Sequence, residues 1–387
     1  MILLDQPYIS DFLKKTIREN NLSAIDTGNV IINNELELTN TEAFINKFRE
    51  GFDSKIYSSS ENAIGWILKN LSFSDYPEKI NFFKNKFLFR TQTKEFFPDF
   101  YFQEVKFNEI NSLNVENMSF PFIIKPNVGF FSMGVHKVLN LKDWDRIKSK
   151  IISEINDIQN VYPEEVLSTS SFIIEQCAEG TEYAFDAYFN DKGEPVVLGI
   201  MKHVFASETD VSDRVYLTSK SVIKENLSKF DTFLKQIGSK ISLKNFPLHA
   251  EVRIDKNGKL TPIEINALRF GAWCTSAELA NYAFGINEYL LFMNNQKPDW
   301  ETILNKADNK IYSLVIFDNS TGYKAEEIKS FNYEKAMSSF QNPLELRKTD
   351  YNKYPLFGFL YVKVDENRYF ELDNILHSDL KEFVELY

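Results

Sequence analysis

The sequence predicts a mixed fold, α/β at the amino terminus and α+β through most of the remainder, on three observations. From Met1 to Asn33, strand-like and helix-like stretches alternate. "LHAEVRIDKNGKLTPIEINALRFG", Leu248 to Gly271, alternates apolar and polar residues on both sides of Asn257-Gly258, a strong local signal for a β-hairpin. From about Lys297 the character changes again, to two strand-rich runs and a closing helical stretch.

Taken in order, "MILLDQ" reads as strand, "YISDFLKKTIRENN" as helix, and "LSAIDTG" and "NVIIN" as strand. No G-x-G-x-x-G follows the first strand, which argues against a nicotinamide dinucleotide site. "TEAFINKFREGFD" and "SENAIGWILKNL" have helical periodicity, with Ser60 ahead of Glu61 and Asn62 as a capping start. "FPFIIKPNVGFFSMGVHKVLN" is strand, loop, strand, and "LKDWDRIKSKIISEINDIQN" an amphipathic helix. A strand through "SSFIIEQ", a turn at Glu179-Gly180 and a hairpin around Asp191-Lys192-Gly193 follow. The helix "KENLSKFDTFLKQIGSK" leads into the Asn257-Gly258 hairpin, and one further helix covers "SAELANYAFGINEYLLFMNN". In the last part, "KIYSLVIFDN" and "YPLFGFLYVKVDENRYFEL" read as strands and "SDLKEFVELY" as a helix.

Composition narrows the function. The 387 residues suffice for two or three cores, and 43% apolar with 26% charged residues is ordinary for a globular protein. A net charge of −11 argues against a nucleic-acid partner, while leaving room for a small anion in a local basic pocket. Two cysteines, Cys177 and Cys274, cannot frame a disulfide fold and read as small buried hydrophobes. No basic, apolar leader opens the chain and no apolar run is long enough to span a bilayer, so the expectation is a cytoplasmic protein without membrane contact.

The hairpin poses a problem. With a two-residue turn at Asn257-Gly258, Lys256 faces Lys259 and, counting outward, Glu251 faces Glu264. One face then carries Leu248, Ala250, Val252 and Ile254 with Thr261, Ile263 and Ile265; the other carries His249, Glu251, Arg253, Glu264 and Asn266. Facing like charges destabilise a sheet. Two carboxylates and a carboxamide converging suit a hard divalent cation, and Mg²⁺ takes one or two carboxylates together with substrate phosphates. On the hairpin alone, a solvated polar face is an equal alternative.

Two other segments fit phosphate chemistry, each weakly by itself. Lys125 ends the strand "PFIIK" ahead of a loop with Gly129, Ser132 and Gly134, where an ammonium and backbone N–H groups can meet phosphate oxygens. "FIIEQCAEGTE" offers a strand edge to a purine, with Glu175 or Glu182 accepting from an amine or ribose; an edge strand guarded by charge explains it equally.

Lysine strand, glycine loop, helix, E-x(4)-G-x-E strand, then E-x-R…E-x-N hairpin: in this order the chain from Ser60 to Tyr289 resembles the ATP-grasp superfamily. Its nearest resemblance is to carboxylate–amine ligases of the D-alanine–D-alanine ligase and amino-acid ligase type, more distantly biotin carboxylase. The resemblance implies ATP and Mg²⁺ as cofactors, two metal ions or Mn²⁺ in their place. It implies phosphate contacts for Lys86, Lys125 and a flap from Asn127 to Gly134 that includes Ser132. Glu175 and the backbone of Gln176 and Ala178 would read adenine, and Glu182 would hold the ribose. Glu251, Glu264 and Asn266 match the metal ligands, with Glu264 bridging. Arg269 resembles the arginine that steadies an acyl phosphate, and Lys125 and Arg253 join it as candidates for the reaction itself. Two departures stand out: Asn266-Ala267-Leu268-Arg269 is one residue longer than the family's Asn-Pro-Arg, and Phe130 and Phe131 intrude in the flap.

The implied fold is an ATP-grasp fold. Residues 1–80 would form an amino-terminal pre-ATP-grasp α/β domain and 81–118 a linker. Residues 119–185 would form the small lid, 186–296 the central subdomain and 297–387 an α+β appendage. The implied function is an ATP-dependent ligase joining a small-molecule carboxylate to an amine through an acyl phosphate, possible as a homodimer. Alternatives are another acceptor (bicarbonate, a thiol or a peptide amine) or a nucleotide-binding protein without turnover. Asp186, Lys202 and His203 are candidates for the substrate side, or simply part of a solvated hairpin.

Overall fold

Ile2, Leu3 and Leu4 are wholly buried and form β1 (Ile2–Leu4), the middle strand of a small parallel sheet. The computed structural model describes residues 1–28, 36–51, 55–129, 134–158, 168–207, 210 and 212–387. They fall into two units: Met1–Gly180 with Ala187–Val196 and Thr232–Cys274, and Thr181–Asp186 with Val197–Asp231 and Thr275–Tyr387.

In the first unit, α1 (Asp11–Glu19) starts where the Ser10 hydroxyl accepts from the Leu13 N–H, and it leads to β2 (Ala24–Asp26). α2 (Thr41–Arg49) precedes β3 (Tyr57–Ser58), and the sheet order is β2-β1-β3, all parallel. This is the α/β start expected; "NVIIN" lies outside the described residues. Ser60 accepts from the Asn62 N–H and opens a short turn before α3 (Ile64–Asn70). Two further helices, α4 (Tyr76–Lys84) and α5 (Lys86–Thr93), were not foreseen; Asn85 caps the second by accepting from the Leu88 N–H.

Next come β4 (Phe102–Lys106), β5 (Phe122–Val128), β6 (His136–Val138), α6 (Trp144–Ile158) and β7 (Ser168–Gln176). The four strands form an antiparallel sheet of order β4-β7-β5-β6. α6 covers it with Trp144, Ile147, Ile151 and Ile155, spaced three to four residues apart, packed on Phe122, Ile124, Phe172 and Ile174.

β8 (Thr181–Phe189), β9 (Pro195–Val204) and α7 (Lys220–Gly238) each belong partly to both units; β10 (Val215–Thr218) lies in the second. β11 (Phe246–Ile254) and β12 (Leu260–Ala267), the expected hairpin, return to the first.

The second unit continues with α8 (Thr275–Phe284), α9 (Glu288–Met293), α10 (Trp300–Lys306) and β13 (Ile311–Asp318). The single helix expected over "SAELANYAFGINEYLLFMNN" is thus two. Gly285 turns left-handed at φ +67° and Asn287 restarts the helix by accepting from the Leu290 N–H. β14 (Ile328–Phe331), α11 (Tyr333–Met337), β15 (Pro343–Lys348), β16 (Leu356–Val364), α12 (Phe370–His377) and β17 (Val384–Leu386) complete the chain. Strands here run in the order β8-β9-β10-β13-β16-β15, and β14 pairs with β17. Two expectations are corrected. "YFEL" is the start of a helix, burying Leu372, Ile375 and Leu376 on one side, and the final residues form a strand on β14 rather than a helix.

Candidate active site

The hairpin turn differs from the two-residue turn expected. Asp255 and Lys259 close a three-residue loop: the Asp255 N–H donates to the Lys259 carbonyl at 3.1 Å, and the Gly258 N–H to the Asp255 carbonyl at 2.9 Å. Gly258 sits at φ +80°, the left-handed position that such loops need. The Asp255 carboxylate braces the loop, accepting from the N–H groups of Asn257 (2.8 Å) and Lys259 (2.9 Å). Ile254 therefore faces Leu260, and Val252 faces Pro262. A bulge between Glu251 and Val252 then leaves Ile263 extra, and beyond it Glu251 faces Glu264 and His249 faces Asn266. The expected core positions Thr261 and Ile263 are corrected: near the turn Pro262 is buried instead, because the longer loop and the bulge shift parity between them.

Both glutamates are partly exposed, their side chains at 31% and 29%, while Asn266 is buried. The His249 Nε2 stands 3.8 Å from Glu251 and the Lys86 Nζ 3.8 Å from Glu264. Among the described residues, no three His, Cys, Asp or Glu side chains converge as a self-sufficient metal cage. Two facing carboxylates and an amide form an incomplete all-oxygen set, and that is the donor set for Mg²⁺ shared with phosphate. The residues present fit the ion.

Beside this pair, Glu61 lies between two cations. Its carboxylate accepts from Arg269 Nη2 at 2.8 Å and Arg269 Nε at 3.1 Å, and from Lys84 Nζ at 3.1 Å. Burial would push the Glu61 carboxyl up, but Lys84 and Arg269 outweigh it and hold it at about 2. The field of Glu61, reinforced by Glu264 and Glu251, overcomes the burial of Arg269 and keeps its guanidinium firmly charged.

A second buried cluster gathers on the four-stranded sheet. Arg90 donates from Nε (2.7 Å) and Nη2 (2.5 Å) to one oxygen of Glu175, and Lys125 donates to the other at 2.6 Å. Burial again opposes ionisation, yet Arg90 and Lys125 hold Glu175 at about 2. Both oxygens accept from these cations, so Glu175 is a brace that fixes Lys125. Gln176 is likewise committed: its N–H donates to the Tyr101 carbonyl (3.1 Å) and its side-chain carbonyl accepts from the Tyr101 N–H (2.9 Å). The Ala178 carbonyl accepts from Arg253 Nη1 at 2.9 Å, so Arg253 supports this strand end. Cys177 is half-buried, and burial raises its thiol, consistent with an unreactive side chain.

α5 connects the two clusters. Lys86 and Arg90 are four residues apart and share a face, the first reaching Glu264 and the second Glu175. Asn127, directly after Lys125-Pro126, accepts from the Phe87 N–H at 2.9 Å and donates to Glu104 (2.7 Å) and Ser171 (3.0 Å). It ties the start of α5 to the sheet that carries Lys125. Gly134 turns left-handed at φ +69°, whereas Phe130, Phe131 and Ser132 of the expected flap lie outside the described residues. Gly180 of the E-x(4)-G-x-E motif is required by close approach: a Cβ there would stand 2.1 Å from the Ile254 carbonyl.

Glu182 is in the second unit, where it bonds His203 Nδ1 at 2.9 Å. The other ring nitrogen faces the Ser212 carbonyl at 3.0 Å. The ring stacks on Tyr216 at 4.2 Å. His203 and Asp186 are buried, which overturns the solvated-hairpin reading for both. Sequence reasoning missed Arg90, Glu61 and Lys84, and had Asn127 only as the start of the flap. The Lys86-Arg90 spacing was the available signal for the first; Glu61 was visible only as part of a helix start.

Residues 118–277 match the family model described as an ATP-grasp domain. No curated protein matches the sequence significantly. Among solved structures, the L-amino acid ligase of Bacillus licheniformis is similar with a TM-score of 0.71 at 16% identity, over 100% of this chain and 98% of that one. N5-carboxyaminoimidazole ribonucleotide synthetase of Thermotoga maritima gives 0.62 at 15% identity, over 99% and 98%. The biotin carboxylase domain dimer of Hydrogenobacter thermophilus 2-oxoglutarate carboxylase, in complex with MgADP, ADP and bicarbonate, gives 0.62 at 12% identity, over 100% and 90%.

Proposed function

Because the chain has the ATP-grasp fold, with residues 118–277 as its ATP-grasp domain, we propose that it is an ATP-dependent carboxylate–amine ligase. The observation that carries this reading is the pairing of Glu251 with Glu264 beside Asn266, flanked by Lys86 and Arg269. Glu251, Glu264 and Asn266 would hold Mg²⁺. Bound there, Mg²⁺ neutralises phosphate charge and orients the nucleotide.

Lys125, held by Glu175, and Lys86, on the first turn of α5, offer ammonium groups to the phosphates of ATP. The substrate carboxylate attacks the γ-phosphorus, giving an acyl phosphate and ADP. An amine then attacks the acyl carbon, loses a proton and expels inorganic phosphate, forming the amide. Arg269 is pre-set by Glu61 to face the charge that grows on the transferring group, so little reorganisation is needed as the reaction proceeds. Purine contacts fall to the backbone around Ala178.

In this reading 1–80 is the pre-ATP-grasp part, 119–185 the lid, 186–296 the central subdomain and 297–387 the appendage. The protein works in the cytoplasm on small molecules, as a homodimer. No helix among the described residues is long and apolar enough to cross a membrane. The test is a coupled ADP-release screen of carboxylates against amines, with bicarbonate and thiols as acceptor arms. Nucleotide binding without release for every pair would reject the ligase.

A further inference from the structure

Asn127 lies two residues beyond Lys125, at the end of β5, where the phosphate flap was expected to begin. Its side chain is buried, and every polar group on the amide has a protein partner. Oδ1 accepts from the Phe87 N–H at 2.9 Å, and Nδ2 donates to Glu104 at 2.7 Å and to Ser171 at 3.0 Å. The backbone sets this up. Pro126 pairs with Phe172 and Val128 with Ser168 on β7, so the register shifts across Asn127. An interrupted ladder of this kind re-aims the side chain that sits at it.

Phe87 is the second residue of α5, and its N–H is among the first four that lack an intrahelical partner. The local cap, Asn85, accepts from the Leu88 N–H instead. A helix N–H of this kind is satisfied equally by water, so α5 does not need Asn127 in order to form. What the bond adds is a fixed distance between the first turn of α5 and the end of β5. Those two segments carry Lys86 and Lys125. The far ends of both lysines are held separately, Lys125 Nζ 2.6 Å from Glu175 and Lys86 Nζ 3.8 Å from Glu264. Asn127 joins the near ends, and its own grip comes from β4 and β7 through Glu104 and Ser171.

Resting on the nucleotide site proposed above, we propose that Asn127 is a positioning residue for ATP: through the Phe87 N–H it sets the separation of Lys86 and Lys125, so that both ammonium groups meet the same chain of phosphates. Its amide is committed to the protein, so it acts through the lysines and not by touching the nucleotide. A charge clamp of this sort works only when its geometry is set in advance.

The experiment is a double-mutant cycle on the full chain, read as ATP affinity by calorimetric titration with Mg²⁺ present. Asn127→Ala weakens ATP about tenfold in the wild-type background and about threefold or less in Lys86→Ala, because placing an absent ammonium has no value. A loss of packing alone would weaken both backgrounds by the same factor. Urea unfolding checks that each variant folds. Should Asn127→Ala fail that check, Glu104→Ala takes its place in the cycle: it sits at an exposed position on the edge strand β4 and removes the 2.7 Å bond that steadies the amide. Its loss is smaller, about threefold, and disappears in Lys86→Ala. Equal losses in the two backgrounds, or unchanged ATP affinity in the folded variant, overturn the proposal and leave the nucleotide site standing. A wild-type chain that binds no ATP overturns the nucleotide site and this role with it.

Discussion

Replacing Glu175 by Gln removes the anion between two buried cations and keeps the side chain's shape. The Glu175, Arg90 and Lys125 side chains are 3%, 5% and 9% exposed, so solvent screens little of the loss. Holding the carboxyl at about 2 instead of 4.5 corresponds to about 3 kcal/mol of stabilisation at neutral pH. Breaking a buried ion pair by removing one partner independently costs about 3–5 kcal/mol. The two figures agree. The folded-state pKa is depressed, so this contribution is complete above the unfolded value and is lost as pH falls through about 2. The gap between wild type and Glu175→Gln is therefore about 3 kcal/mol at pH 7, about 1 kcal/mol at pH 3, and closes below that. Glu61 titrates in the same window but is present in both proteins, so it cancels in the difference. Urea unfolding followed by tryptophan fluorescence suits the purpose, since Trp66, Trp144 and Trp273 lie in the first unit and only Trp300 in the second. A gap below about 1 kcal/mol at pH 7, or one that does not narrow in acid, refutes the brace.

Glu264→Gln should abolish ADP release while changing stability without Mg²⁺ by no more than about 1 kcal/mol, since relief of Glu251 repulsion offsets loss of the Lys86 contact; near-normal turnover would remove Glu264 from the metal set. Lys125→Ala should weaken ATP binding about tenfold or more in calorimetric titration, the equivalent of about 1.4 kcal/mol, and unchanged affinity would dismiss its phosphate role. Gly258→Ala forces a side chain into φ +80° and should cost about 1 kcal/mol, measured by urea unfolding, with ATP affinity unchanged.

The order of motifs was legible because each sits on a local signal: Lys125 at a strand end, the E-x(4)-G-x-E strand, the Asn257-Gly258 turn. What surrounds them was not, because it depends on partners distant in sequence. Nothing near Glu175 announces that Arg90 and Lys125 will claim both its oxygens; that follows from how β5 and α5 meet β7. Arg269 was found, but its partner Glu61 lies 208 residues away. Helix ends failed where a single residue governs them, as at Gly285, and the final strand failed because β14, which supplies its hydrogen bonds, was itself unseen. The facing of Glu251 and Glu264 was obtained from a turn one residue too short, with the bulge restoring the register.

That cancellation has a cause. Carried on from the three-residue turn without a bulge, the register would set Glu264 opposite Ala250, on the buried face, and Ile265 opposite His249, on the polar one. Burying an unpaired carboxylate costs several kcal/mol, and exposing Ile265 forfeits about 2 more. A bulge sacrifices one ladder position, a cost of about 1 kcal/mol. The core therefore selects the bulged register, since it buries Ile265 and Ala267 beside Ala250 and Leu248. The same parity leaves Glu264 nowhere to go but opposite Glu251. Mutual repulsion of the two glutamates, about 1 kcal/mol at their exposure, is too small to reverse a choice made by apolar burial. The carboxylate pair is held together by the hydrophobic side of its own hairpin, and it stays poised for a cation without needing one to form.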